Sequence, residues 1–217
     1  MLLELPQGKR LIQLKNKIEA QFVTNKINHI NAYILAGGKS SRMGTDKGLL
    51  LFNNKPIVQR IIEQLSPAVN EVIIVSNNHE YEQFGLPVIE DLIKDIGPAG
   101  GIHAALSHTQ TEQTFIVSCD MPFIAANAVT YVMQYATHSQ IVLPLFHGKI
   151  QPLFGVYSRQ CLPKWKQLIE RGIIKLQEMV TYFDLLKLDN QKNELFHDLL
   201  FTNINNEDDF QNALKQL

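Results

Sequence analysis

The amino-acid sequence predicts an α/β fold, with a mostly parallel sheet covered by helices on both faces. From residue 30 onward, short apolar runs alternate with longer helical stretches. Two of the runs, Val72-Ile-Ile-Val75 and Phe115-Ile-Val117, are apolar throughout, which is typical of strands buried on both faces. No repeat, low-complexity tract or Gly/Ser-rich linker divides residues 30–217, so we expect one domain there.

The first segment of the chain has a different pattern from the rest. Residues 8–27 mix basic side chains with an apolar stripe at helical spacing, formed by Leu11, Leu14, Ile18 and Phe22. We therefore expect residues 1–29 to be a helical N-terminal extension. Such a helix packs against its own protein or binds a partner or a membrane surface, and the sequence leaves these alternatives open.

The remaining elements follow from apolar periodicity and turn residues. The predicted strands are residues 31–36, 72–76, 114–118, 140–144, 150–157 and 199–203. The predicted helices are residues 56–66, 99–108, 126–136, 158–170 and 206–216. In a sheet of this kind, ligands bind beyond the carboxyl ends of the strands, so the residues that follow each strand are the candidates for a site.

Composition excludes several classes of protein. The 20 Lys and Arg residues against 21 Asp and Glu residues give a net charge of −1, so no overall field attracts nucleic acid. No apolar run approaches the ~20 residues of a membrane span, and the N-terminus does not fit a secretory signal. The two cysteines, Cys119 and Cys161, form no CxxC pair. We therefore expect a cytoplasmic protein whose anionic ligands are held by a local site.

The strongest local signal follows the first strand, in Leu35-Ala-Gly-Gly-Lys-Ser-Ser-Arg-Met-Gly-Thr-Asp-Lys47. Glycines let the backbone approach a ligand closely, and the cations with exposed N–H groups are donors for phosphate oxygens. The segment is neither a Walker A loop nor a GxGxxG turn, because Tyr33 stands where Walker A needs glycine and Lys39 follows Gly38. The sequence predicts a phosphate-binding loop of another kind.

Two further strand ends carry carboxylates. Asp120 ends an apolar strand, and one carboxylate there suits Mg²⁺, which takes its other ligands from water and substrate phosphates. The alternative, which the sequence favours less, is that Asp120 makes a turn or caps the helix near residue 126. Glu90-Asp91 precedes Gly97-Pro-Ala-Gly-Gly101, where Asp91 suits sugar hydroxyls or a guanine edge, although a plain loop explains that stretch as well.

The order and spacing of these motifs resemble the molybdenum cofactor guanylyltransferases. The likeness runs from about residue 30 to the C-terminus and also includes Lys55-Pro56, Cys119-Asp-x-Pro122 and Asn203-x-Asn205. It implies a Rossmann-like, three-layer nucleotidyltransferase fold. It also implies transfer of GMP from Mg²⁺-bound GTP to molybdenum-loaded molybdopterin, with release of pyrophosphate.

The resemblance implies roles for individual residues. Nucleotide binding falls to Leu35, Ala36, Gly37, Gly38, Lys47, Asp91 and Asp120. Catalysis falls to Arg42, Lys47 and Asp120, with Asp120 as the Mg²⁺ ligand. Gln151, Asn203 and Asn205 fall on the molybdopterin side. The implied partners are GTP, molybdopterin, molybdopterin-handling proteins and molybdoenzyme chaperones, and the implied state is a monomer or weak oligomer.

Other interpretations of the same residues remain. The phosphate-binding loop and Asp120 would equally serve a transferase that uses CTP, or one with a sugar or polyol phosphate as acceptor. A molybdopterin-binding adaptor without catalytic activity is a third possibility. The chain also departs from the family near the end of its second strand, where the nucleotide-binding Asn of relatives has no clear equivalent within Val75-Ser-Asn-Asn78. We leave that contact unassigned.

Overall fold

The structure is a computed structural model that describes residues 29–37, 46–189 and 194–217. Gly38, Arg42 and the predicted helix over residues 8–27 lie outside the described residues. The strands are β1 (Ile30–Leu35), β2 (Leu51–Phe52), β3 (Lys55–Pro56), β4 (Val72–Val75), β5 (Val88–Ile89), β6 (Gln113–Ser118), β7 (Ile141–Phe146), β8 (Lys149–Ile150), β9 (Phe154–Ser158) and β10 (Leu185–Asp189). The helices are α1 (Ile57–Leu65), α2 (Pro98–His108), α3 (Ala126–Met133), α4 (Leu162–Glu170), α5 (Leu176–Met179) and α6 (Glu207–Leu214). Short 3₁₀ segments occur at Lys47–Leu49, His79–Phe84, Arg159–Cys161 and Val180–Tyr182.

A mixed sheet forms the centre of the molecule. Within the described ranges it has eight strands in the order β10-β7-β9-β6-β1-β4-β5, and β8 pairs with β7. Strand β1 pairs in parallel with β4 on one side and with β6 on the other. Strand β9 runs antiparallel to both β6 and β7. The mostly parallel sheet predicted from the sequence is confirmed, with β8 and β9 as the reversed strands of the described part.

Helices cover both faces of the sheet, which gives three layers. Successive residues of β1 point to opposite faces, so that Ala32 and Ile34 belong to one apolar cluster and Tyr33 and Leu35 to the other. Helices α1, α3 and α6 pack on the first face, and α2, α4 and α5 on the second. Because both faces are buried, the central strands are mostly apolar, and β4 is apolar along its whole length. None of the helices in the described part of the chain is long and apolar enough to cross a membrane.

The predicted strand over residues 199–203 is wrong, the one over 150–157 is divided between β8 and β9, and strands β2, β3, β5 and β10 were not predicted. Residues 199–203 form turns and irregular backbone, and the buried Leu200 anchors them to the core. A short apolar run does not distinguish a strand from a buried turn. The missed strand β10 pairs in parallel with β7 at the sheet edge, where its partial exposure weakens the apolar signal.

Candidate active site

The candidate site lies where three neighbouring parallel strands end. In the ladder, Leu35 of β1 stands opposite Val75 of β4 and Ser118 of β6. The pairing continues one residue further, because the N–H of Ala36 donates to the carbonyl of Val75 (2.9 Å) and the N–H of Cys119 donates to the carbonyl of Leu35 (3.0 Å). The backbone therefore brings the start of the glycine loop and the Asp120 turn to one edge of the sheet.

A cavity of about 250 Å³ opens at this edge. It brings together several residues predicted from separate motifs. Its lining consists of Leu35, Ala36, Gly37, Val75, Asp91, Gly97, Pro98, Gly101, Ser118, Asp120 and Leu153. Five of the predicted nucleotide-binding residues thus share one concave surface, and their roles there stay predictions.

Asp91 brings a half-buried carboxylate to the cavity. Its Oδ1 is buried and has no hydrogen-bond partner among the residues that the structure describes. Burial raises the pKa of this carboxyl, and the nearby Lys94 opposes the shift. The backbone N–H of Asp91 donates to Oδ1 of Asn77, at 3.2 Å, which fixes the segment after β5 to the end of β4. An unpartnered acceptor of this kind is suited to ligand N–H or O–H donors.

Helix α2 begins at the cavity wall. Gly97 precedes it with a φ of +64°, a conformation that favours glycine, and Pro98 occupies the first turn. A Cβ at Gly101 would stand 3.2 Å from a methyl carbon of Leu35 and 3.6 Å from Oδ1 of Asp91. Glycines therefore keep this part of the cavity open.

Lys47 and Asp120 form the charged part of the site. The Nζ of Lys47 lies 3.7 Å from Oδ2 of Asp120 and donates to Oδ1 of Asn205 at 2.9 Å. The Oδ1 of Asp120 is buried without a hydrogen bond in the described part of the chain. The ammonium group of Lys47 thus contacts both a residue at a strand end, Asp120, and a residue near the C-terminus, Asn205.

The donor set around Asp120 limits which metal fits. No group of three or more His, Cys, Asp or Glu side chains that could hold a metal occurs in the described ranges. A carboxylate oxygen that has no hydrogen bond among the described residues and lies beside a cavity fits Mg²⁺, which is held in proteins by one or two carboxylates together with water and phosphate oxygens. The residues present therefore fit the predicted ion.

The three predicted molybdopterin-side residues have different neighbours in the structure. Asn205 contacts Lys47, whereas Asn203 lines a second cavity of about 410 Å³ between the segment 198–203 and α6. Gln151 is two residues before Leu153, which lines the first cavity. The structure brings only Asn205 of these three into contact with the charged part of the site.

Two residues that received no role from the sequence support the 3₁₀ segment Lys47–Leu49, which we call the Lys47 turn. Asp46 caps this turn, since its Oδ1 accepts the N–H of Gly48 at 3.2 Å. The hydroxyl of the fully buried Tyr81 donates to the same oxygen at 2.5 Å. The available signal was a single aromatic residue in the polar run His79-Glu-Tyr-Glu-Gln, three positions before Phe84. That pattern indicates burial but gives no partner.

Sequence comparison identifies relatives of the chain. A sequence profile described as the MobA-like NTP transferase domain matches residues 32–184. A protein of Flavobacterium johnsoniae named probable molybdenum cofactor guanylyltransferase is 35% identical, over 83% of this chain and 94% of its own. The molybdenum cofactor guanylyltransferase of Vibrio parahaemolyticus is 40% identical, over 66% of this chain and 75% of its own.

Solved structures share the fold. A molybdopterin-guanine dinucleotide biosynthesis protein A from Archaeoglobus fulgidus superposes with a TM-score of 0.74 and 23% identity, covering 86% of this chain and 97% of that one. The 2-C-methyl-D-erythritol 4-phosphate cytidylyltransferase of Thermus thermophilus gives a TM-score of 0.64 and 12% identity, with 85% and 97% covered. Identities this low show the fold alone, and the fold is that of nucleotidyltransferases.

Proposed function

Because the chain belongs to the family of MobA-like NTP transferases, we propose that it is a molybdenum cofactor guanylyltransferase, which transfers GMP from GTP to molybdenum-loaded molybdopterin. The product is the guanine dinucleotide form of the cofactor, and pyrophosphate is released. The observation that carries the proposal is the convergence of Lys47 and Asp120, 3.7 Å apart, beside the cavity that Asp91 lines. We further propose that residues 30–217 act as one domain and that the enzyme works in the cytoplasm.

The reaction needs alignment and charge neutralisation more than covalent help. A phosphate oxygen of molybdopterin attacks the α-phosphorus of GTP and forms a new P–O bond. The bond from the α-phosphorus to the bridging oxygen breaks, and pyrophosphate leaves with the electron pair. Since the attacking phosphate is already an anion, no side chain has to remove a proton. Lys47 neutralises charge on the triphosphate, and Arg42 is proposed for the same task.

Asp120 is the proposed ligand of Mg²⁺. When bound, the ion supplies positive charge at the phosphate oxygens. The free Oδ1 of Asp120 supports this assignment, and its Oδ2 holds Lys47 on the same side of the cavity. Asp120 would therefore orient the ammonium group of Lys47 as well as the metal ion.

Asp91 is the proposed contact to guanosine. A guanine edge presents an N–H and an amino group side by side, and both are donors that one carboxylate accepts together. A cytosine edge offers a single amino donor. If both oxygens of the Asp91 carboxylate face the base, the carboxylate accepts two hydrogen bonds from guanine and one from cytosine, which favours GTP over CTP.

The choice of nucleotide and acceptor is tested directly. The purified full-length protein is incubated with Mg²⁺, molybdenum-loaded molybdopterin and each of the four nucleotides carrying an α-³²P label. We expect label in a dinucleotide product and pyrophosphate release with GTP. Pyrophosphate release with CTP and not with GTP would refute the assignment, and binding of molybdopterin without any release would identify an adaptor.

Loss of the Lys47 ammonium group should remove one preorganised donor from the transition state. We expect Lys47→Ala to cost about 2–4 kcal/mol, which is a decrease in kcat/KM of about thirty-fold to a thousand-fold. The measurement is initial-rate kinetics with labelled GTP. Lys166→Ala is the matched control, because Lys166 is an exposed lysine of α4 that pairs with Glu170. Equal rates for the two variants would exclude Lys47 from the reaction.

A further inference from the structure

Tyr81 is buried in a segment that is otherwise exposed. It lies in the 3₁₀ segment His79–Phe84, where His79, Glu80 and Glu82 are exposed while the Tyr81 side chain has no exposed surface. A buried tyrosine hydroxyl needs a hydrogen-bond partner, and here the partner is Oδ1 of Asp46 at 2.5 Å. Burial raises the pKa of Tyr81, so the hydroxyl keeps its proton and remains a donor.

The carboxylate of Asp46 connects Tyr81 to the Lys47 turn through hydrogen bonds. The oxygen that accepts from Tyr81 also accepts the N–H of Gly48, and the carbonyl of Asp46 accepts the N–H of Leu49 at 3.1 Å. Both hydrogen bonds close the backbone around Lys47. The direction in which the Lys47 side chain leaves the backbone is therefore set by how Asp46 is held.

Close packing connects Tyr81 to the Asp120 strand end as well. A Cβ on Gly48 would overlap with the Tyr81 hydroxyl and stand 3.3 Å from Cβ of Cys119. Cys119 immediately precedes Asp120, and its backbone N–H donates a hydrogen bond to the carbonyl of Leu35 in β1. Tyr81 thus lies at the junction of the two segments that carry Lys47 and Asp120.

We propose that Tyr81 is a positioning residue of the active site, which acts through Asp46 to hold Lys47 in the orientation that meets Asp120 and the triphosphate. The inference rests on the proposed function, because Lys47 must act on a phosphate for its orientation to affect the rate. A lysine side chain has four rotatable bonds, and a displacement of about 1 Å at a reacting centre costs up to about a hundredfold in rate. By holding Asp46, the hydroxyl of Tyr81 limits the orientations of the Lys47 side chain, although Tyr81 does not line the cavity.

Tyr81→Phe tests the proposal, because it removes the hydroxyl and keeps the ring. We expect kcat for transfer from GTP to fall about tenfold while KM for GTP changes less than about twofold. The matched control is Tyr33→Phe, since Tyr33 is equally buried and its hydroxyl shares a 2.9 Å hydrogen bond with His108. This control should lose a similar amount of stability and keep its kcat. Equal kcat values for the two variants would overturn the proposal.

A double-mutant cycle shows whether Tyr81 acts through Asp46. If it does, Tyr81→Phe should lower kcat in the wild-type background and change it less than about twofold in an Asp46→Ala background. Additive effects would mean that Tyr81 acts by another route, and they would overturn the proposal.

A second readout does not depend on any substrate. Reductive methylation of the free protein, followed by mass spectrometry, gives the reaction rate of Lys47 relative to the exposed Lys166. We expect the ratio to rise at least about threefold in Tyr81→Phe and to stay constant in Tyr33→Phe. An unchanged ratio in Tyr81→Phe overturns the inference. If the wild-type protein does not transfer GMP, the proposed function fails, and this ratio alone decides whether Tyr81 holds Lys47.

Discussion

The two carboxylate oxygens of Asp120 have different surroundings. One carboxylate oxygen lies 3.7 Å from the ammonium group of Lys47, and the other has no hydrogen bond within the described ranges. The two side chains are only 21% and 17% exposed, so water screens their attraction incompletely. A neutral isostere at this position therefore weakens both the ion pair and the proposed metal contact.

Asp120→Asn should abolish measurable transfer of GMP while the fold remains intact. The physical reason is that an amide oxygen is a poorer ligand for Mg²⁺ than a carboxylate and carries no charge for Lys47. The assay is product formation over a series of Mg²⁺ concentrations, with circular dichroism and the unfolding midpoint as measures of folding. Glu170→Gln on α4 is the control. Full turnover by Asp120→Asn would remove this residue from the metal site.

Asp91→Asn should weaken GTP binding and stabilise the protein. Loss of the carboxylate removes a charged acceptor worth about 1.5–3 kcal/mol, so KM for GTP should rise at least about tenfold. Burial raises the pKa of Asp91 in the folded chain above its unfolded value. The folded protein then binds this proton more tightly, and the stability that protonation provides below the unfolded pKa is lost as pH rises through the folded pKa.

The measurement for Asp91 is the unfolding midpoint of both proteins as a function of pH. We expect the Asn variant to unfold at a higher temperature at neutral pH. The difference should disappear as pH falls toward the unfolded pKa of a carboxyl group. A destabilised variant at neutral pH, with unchanged KM, would contradict both the electrostatic argument and the nucleotide contact.

Helix α2 is held at its first turn by helix α4. The indole N–H of the fully buried Trp165 donates to the carbonyl of Ala99 at 3.0 Å. Ala99 lies between Gly97 and Gly101, the glycines that border the cavity. The wall of the 250 Å³ cavity that Gly97 and Gly101 border is therefore fixed by a hydrogen bond from α4.

Trp165→Phe should lower the free energy of unfolding by about 1–3 kcal/mol, because it removes this hydrogen bond and leaves unfilled volume in the core. Urea denaturation measures the change. KM for GTP should rise together with the loss of stability, since the α2 terminus moves relative to Asp91. A variant as stable as the wild type would show that Ala99 is held by other contacts.

The central strands and helices were predictable from the sequence because their signal is local. Strands β1, β4 and β6 are buried on both faces and each contains an apolar run, so composition alone reveals them. The segment 199–203 is apolar for another reason, since Leu200 fills a position in the core without pairing in the sheet. Its true conformation depends on neighbours that are distant in sequence.

The motif residues of the site could be predicted from the sequence, whereas the hydrogen bonds that hold them in place could not. Lys47, Asp91 and Asp120 belong to motifs with recognisable chemistry, and topology alone places strand ends together. The hydrogen bond between Tyr81 and Asp46 joins residues 35 positions apart, and the one between Lys47 and Asn205 joins residues 158 positions apart. Contacts between such distant residues leave no pattern in a single sequence. The resemblance assigned Asn205 to the molybdopterin side, and that role stays a prediction beside its contact with Lys47.

The contacts from which the proposed reaction is argued all lie within the described residues 29–37, 46–189 and 194–217. A protein that lacks residues 1–28 should therefore fold and keep its kcat/KM within about twofold of the full chain. The family profile begins at residue 32, and the Flavobacterium relative is matched over 94% of its length by 83% of this chain. Steady-state kinetics of the shortened protein tests this. A large loss of activity would make the extension part of the catalytic unit.

The contact between Lys47 and Asn205 has a consequence for protein synthesis. Ribosomes add roughly 5–20 residues per second, so the amide that holds this ammonium group is made on the order of ten seconds after the lysine itself. A nascent chain that ends before residue 203 contains every residue that lines the 250 Å³ cavity and lacks Asn205, which accepts the hydrogen bond of Lys47. It also lacks Ile204, whose N–H donates to the carbonyl of Asp120, so premature termination near the 3′ end of the message removes a backbone contact of Asp120 together with the amide contact of Lys47.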